Sequence, residues 1–170
     1  MFIGEDSMTK WIRRLALVVA GTAIFLGVAI DAGEVAAQDD PIKVRRAAMK
    51  QLGGHMKGVG GFLKGGRRAG TAETVALRGQ SIAAIAGKIP SLFPKGTSLA
   101  DGKGETGAKP VIWEQWSGFE KAAVNLASEA NKLSAAAEKG DKAAIKLAMG
   151  SLGKNGCGGC HRTFRQKLKK

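Results

Sequence analysis

Apolar residues recur along much of the chain at alternating spacings of four and three, the period of a helix with one buried stripe. The cleanest run is Phe119, Ala123, Leu126, Ala130, Leu133 and Ala137, led by Trp113 and Trp116, with Pro110 where a first-turn proline is tolerated. Another stripe, Ile145, Met149, Leu152, Gly156, Cys160, Phe164 and Leu168, begins after Gly140, with Asp141 placed to cap it. The stretch from Thr71 to Ile89 turns Val75, Ile82, Ile85 and Ile89 inward and is stopped by Pro90. The first stripe follows Pro41 and puts Val44, Ala48, Leu52, His55, Val59 and Leu63 on one side.

That first segment carries Gly53, Gly54, Gly58, Gly60 and Gly61, each costing about 1 kcal/mol relative to Ala in a helix interior. Packing against neighbours, not propensity, must therefore hold it. The glycines form no nucleotide loop, because no Walker pattern matches and no strand precedes them. Pro94 to Lys109, rich in Gly, Lys and Thr, is the long connection; the other two joins are short. Short joins favour antiparallel neighbours. The expected architecture is all-α, an antiparallel up-down-up-down four-helix bundle.

Ahead of the bundle, Lys10, Arg13 and Arg14 precede an uncharged run from Leu15 to Ile30, and Val35, Ala36 and Ala37 follow. That order is a secretory signal. About 16 apolar residues fall short of the roughly 20 that span a bilayer as a helix. Cleavage after Ala37 makes 1–37 the signal peptide and 38–170 the folded domain, with no stable membrane insertion afterwards. The net charge is +13, and losing three basic and four acidic side chains with the signal raises it to +14. Such a field favours acidic partners and faster association at low salt. No nucleic-acid module accompanies it, so no nucleic acid is expected.

The two cysteines decide the chemistry. They stand in Cys157-Gly158-Gly159-Cys160-His161. In an exported chain a lone pair would read as a disulfide or a redox dithiol. The histidine that follows turns it into the attachment pattern for one covalent haem c. On a helix, positions i, i+3 and i+4 share a face. Two sulfurs can then bond one side of the porphyrin while the imidazole of His161 reaches the iron as proximal ligand.

Helix four antiparallel to helix one sets His161 about 9 Å from the end of one and Met49 about 10 Å from the start of the other. Met49 is therefore the candidate sixth ligand, the alternative being that it only packs over the haem. Met56 lies nearly on the same face but about 10 Å deeper, and His55 is rotated about 240° away from Met49. Arg45 and Arg165 each stand one turn from a ligand, as haem-propionate partners or as solvated surface arginines.

The chain resembles the class II cytochromes c, meaning cytochrome c prime and its low-spin relatives. The resemblance rests on Lys43 to Lys50, on Lys109-Pro110-Val111-Ile112-Trp113, on Lys132 to Ala137 before the Gly140-Asp141 turn, and on Cys157 to Arg165. It implies a bacterial periplasmic setting. The family divides at the position four residues after the first-helix arginine, here Met49. With a methionine on the iron the protein shuttles electrons. Without one the iron is five-coordinate and binds nitric oxide or carbon monoxide, and some cytochromes c prime also carry methionine there.

The expectation is a periplasmic electron-transfer protein with His161 and Met49 as iron ligands, working with redox partner proteins that have acidic surfaces. The alternative is a five-coordinate cytochrome c prime with Met49 off the iron. No nucleophile–base or carboxylate pair argues for an enzyme, and a homodimer of two bundles is compatible with the chain.

Overall fold

The computed structural model describes residues 40–65 and 70–168. The segment 1–37 read as a signal peptide, with its expected cleavage after Ala37, lies outside the described residues. The helices are α1 (Pro41–Lys64), α2 (Ala72–Lys88), α3 (Val111–Glu114), α4 (Trp116–Glu138), α5 (Lys142–Ser151) and α6 (Gly158–Phe164), with a wide π-turn at Leu152–Cys157 joining the last two. They make an antiparallel four-helix bundle whose rods are α1, α2, α3 with α4, and α5 with α6.

The ends of these helices follow from local chemistry. Asp40 accepts from Ile42 N at 2.9 Å, and Pro41 occupies the first turn, where its missing N–H costs nothing. Gly65 ends α1 at φ 73°. Thr71 and Thr74 cap α2 reciprocally, at 2.9 and 3.3 Å. Asp141 accepts from Ala143 N at 2.8 Å and Ala144 N at 3.1 Å, starting α5.

The third stripe is buried as the periodicity predicts, from Phe119 to Ala137. α2 lies on it at close range. A Cβ at Gly79 would meet Ala130 O and Ser134 N, each at 2.9 Å, so glycine sets the helix separation there.

α1 departs from the sequence expectation. Its buried positions are Ile42, Arg45, Leu52 and Val59, with Met49, Met56 and Leu63 packed against the core, whereas Val44 and His55 are only half-buried. The observed series 42, 45, 49, 52, 56, 59, 63 is a strict three–four alternation. Hydropathy alone passed over Arg45, and the long connection is what buries it.

The fourth rod also differs. It was expected to run as one stripe to Leu168, but α6 stops at Phe164 and Leu168 is exposed. Arg165 is extended, at φ −120° and ψ 135°, and pairs with Ala108 as an isolated antiparallel bridge. Lys109 N donates to Phe164 O at 3.1 Å and Gln166 N to Gly107 O at 2.8 Å. The long connection thus supplies backbone partners that continuing the helix would have forgone.

Candidate haem site

A cavity of 690 Å³ lies between α1, the 105–108 strap, α4 and the last rod. This is within the usual range for a ligand pocket. Cys157, Cys160, His161, Met49, Arg45 and Arg165 all line it. Its wall is largely apolar, with Leu52, Ile89, Phe93, Ile112, Phe119 and Phe164 contributing. The Phe119 ring meets Phe93 edge-on at 4.8 Å and Phe164 at 5.3 Å, a rigid aromatic floor beside the cysteines.

The three motif residues have the groups that a covalently attached haem needs, two thiols for the porphyrin and an imidazole for the iron. Both thiols are free and half-buried. Burial raises the Cys157 pKa, and pushes Cys160 up to about 11 with help from the neighbouring sulfur. Burial, followed by repulsion from Arg165, lowers the His161 pKa and favours the neutral imidazole that ligates metals. Two thiols and one neutral imidazole on the wall of an apolar cavity fit a covalently attached haem.

Arg45 is buried, 3 % exposed, and committed. Nη1 donates to Thr97 Oγ1 at 2.9 Å, while Nη2 donates to Thr97 O and to Thr106 Oγ1, both at 2.5 Å. Its guanidinium also stacks over the Phe93 ring at 4.9 Å. Burial lowers its pKa, with Asp40 opposing. Both terminal nitrogens therefore hold the long connection, at Thr97 and Thr106, a job the sequence did not announce. The partners Thr97 and Thr106 lie 52 and 61 positions away, beyond any local pattern. Arg165 is exposed at the cavity edge.

Met56 lines the same cavity as Met49, although the sequence placed it too deep. The signal was present, since seven residues separate them and that spacing returns to one face. His55 does not line the cavity; it is half-buried, and its Nδ1 has no hydrogen-bond partner among the described residues.

The family profile described as Cytochrome C' matches residues 40–165. The chain belongs to the cytochrome c′ family. It is 37% identical over 125 residues to cytochrome c′ of Pararhodospirillum photometricum, covering 74% of this chain and 95% of that one. Cytochrome c-556 of Agrobacterium tumefaciens (strain II Chrys) is 35% identical over 128 residues, covering 74% and 97%. The solved cytochrome c′ of Rhodopseudomonas palustris superposes with a TM-score of 0.65 at 31% identity, covering 78% and 100%. Cytochromes c′ carry a single covalently attached haem c. Here the chain's cysteine pair and histidine stand on the cavity wall that such a group requires.

Proposed function

We propose that this protein is a periplasmic monohaem cytochrome c′ whose haem is bonded by Cys157 and Cys160, with His161 as proximal ligand and the opposite face open to a diatomic molecule such as nitric oxide or carbon monoxide. The observation that carries the attachment is the convergence of two thiols and one imidazole on one apolar cavity. When bound, the haem supplies an iron that exchanges one electron and, on an open face, takes up a small ligand. The chain's own residues do the rest. His161 presents a lone pair, the aromatic floor of Phe93, Phe119 and Phe164 excludes water, and the strap held by Arg45 closes one side.

The cytochrome c′ names carried by the Pararhodospirillum relative and by the solved Rhodopseudomonas palustris protein support an open distal face. A second reading, electron transfer with Met49 as sixth ligand, is favoured by the position of Met49 on the cavity wall and by the cytochrome c-556 relative.

Carbon monoxide added to the reduced protein separates the two. Rapid adduct formation in the native protein is the expected result. An unchanged low-spin spectrum that gives way to adduct formation only in Met49→Ala overturns the open-face reading in favour of the second. Mass spectrometry tests the attachment beneath both: a bare polypeptide from the purified native protein, or colour extracted by acid–acetone, would sink it.

Export through residues 1–37 and an acidic partner belong to the same proposal. Arg46, Lys50 and Arg165 stand at the cavity edge and add a local positive rim to the overall +14 of the mature chain.

A further inference from the structure

The last rod reaches the haem motif through the π-turn Leu152–Cys157, in which Gly158 N donates to Gly153 O, five residues back. Such turns take up one residue more than an α-turn and recur at functional sites. Here the extra residue changes where the motif points. Counted from Ile145 at 100° per residue, an unbroken α-helix would set Cys157 about 120° and His161 about 160° off the buried stripe. Absorbing one residue returns them to about 20° and 60°, and brings Phe164 from about 100° onto the stripe. Phe164 is indeed buried, and Cys157 and His161 line the cavity.

The turn is gripped from outside the helix. Ser151, the residue just before it, donates to a carboxylate oxygen of Glu129, which is 5 % exposed. Lys132 Nζ donates to the other oxygen at 2.6 Å. Asn155 Nδ2 donates to Ser151 Oγ at 3.1 Å, and Asn125 Nδ2 donates to Asn155 O at 3.0 Å. Just after Asn155, Gly156 lies against Leu126, whose Cδ1 would be 3.0 Å from an added Cβ. Asn125, Leu126 and Glu129 all belong to α4, so one helix grips the wide turn just before its start and again at Asn155 and Gly156.

We propose that Asn125, Glu129, Ser151 and Asn155 form a positioning clamp that holds the π-turn and thereby aims Cys157, Cys160 and His161 into the haem cavity. The clamp touches no reacting atom and acts through the backbone of the turn. It rests on the attachment of haem at Cys157, Cys160 and His161 proposed above.

The test compares holoproteins of Ser151→Ala, Asn125→Ala, Ser151→Thr and Ser134→Ala. Ser134 is a matched control, buried on the same helix and bonded to Ala76 O at 3.1 Å, on the helix pair α2–α4 rather than on the turn. Ser151→Ala and Asn125→Ala should displace the Soret circular dichroism band and the ferric electron paramagnetic resonance signals, and lower the fraction of chains carrying haem. Ser151→Thr keeps the hydroxyl and should restore the native signals. Ser134→Ala should lower the melting temperature while leaving the haem signals native. Should Ser151→Ala fail to fold, Asn125→Ala, an exposed position, decides alone. Native haem signals and native loading in the clamp variants would overturn the proposal while leaving the haem site intact; a native protein without a haem mass adduct would overturn both.

Discussion

The guanidinium of Arg45, in the second turn of α1, and the hydroxyl of Thr97, in the long connection, meet at 2.9 Å across 52 positions of sequence. This contact and its neighbours at Thr97 O and Thr106 Oγ1 fasten the 94–109 segment over the cavity. Removing the guanidinium strands buried acceptors as well as a cation site. Arg45→Ala should cost on the order of 3 kcal/mol in urea unfolding, since hydrogen bonds to charged groups are among the stronger ones. Arg45→Lys keeps the charge but loses the fork and should recover only part. Limited proteolysis should begin within 94–109 in Arg45→Ala; a native cleavage pattern would show that the segment holds itself.

Two glycine substitutions should act in opposite directions. At Gly79 a methyl would press on the backbone of α4 at Ala130 and Ser134, which cannot rotate away. Gly79→Ala should destabilise by about 1–3 kcal/mol. At Gly54 nothing lies within 4 Å of the added carbon, so Gly54→Ala should stabilise by roughly 0.5–1 kcal/mol through helix propensity. Thermal melts of the two variants give the comparison; equal signs would contradict it.

Glu129 has its pKa lowered below the ordinary 4.5, first by the hydrogen bond from Lys132 and then by that from Ser151. A depressed carboxylate contributes stability that is complete above its unfolded pKa and is lost as pH falls through the folded one. Unfolding free energy should therefore drop as pH is lowered below 4.5, and Glu129→Gln should flatten that part of the curve. An unchanged acid limb in the variant would remove Glu129 from the account.

Positive charge around the cavity should show itself kinetically. With Arg46, Lys50 and Arg165 at the edge, reaction with an acidic redox protein should slow steeply as ionic strength rises. Charge reversal at Lys50 should reduce the slope. A rate indifferent to salt would argue against an acidic partner.

Local order was legible from the residues alone. The Phe119–Ala137 stripe is buried at every position it named, because its apolar side chains follow helix periodicity without interruption. The cap at Asp141 was equally readable, since a capping oxygen acts on N–H groups two or three residues away. The Cys157–Cys160–His161 spacing pointed to covalent haem for the same reason: three groups within five residues need no distant partner to be recognised as a pattern.

Tertiary structure decided what depended on distant partners. Arg45 points inward only because Thr97, Thr106 and Phe93 receive it there, so hydropathy put the α1 stripe on Val44 and His55 instead. The end of α6 at Phe164 is set by backbone pairing with residues 107–109, contacts more than fifty positions away in the chain. The π-turn is invisible to a count of residues per turn, yet it fixes where the motif points. Sequence determined which groups the chain carries and their order along each helix, because those interactions are local; packing determined their direction and depth, because desolvation and long-range hydrogen bonds exist only once the helices have met.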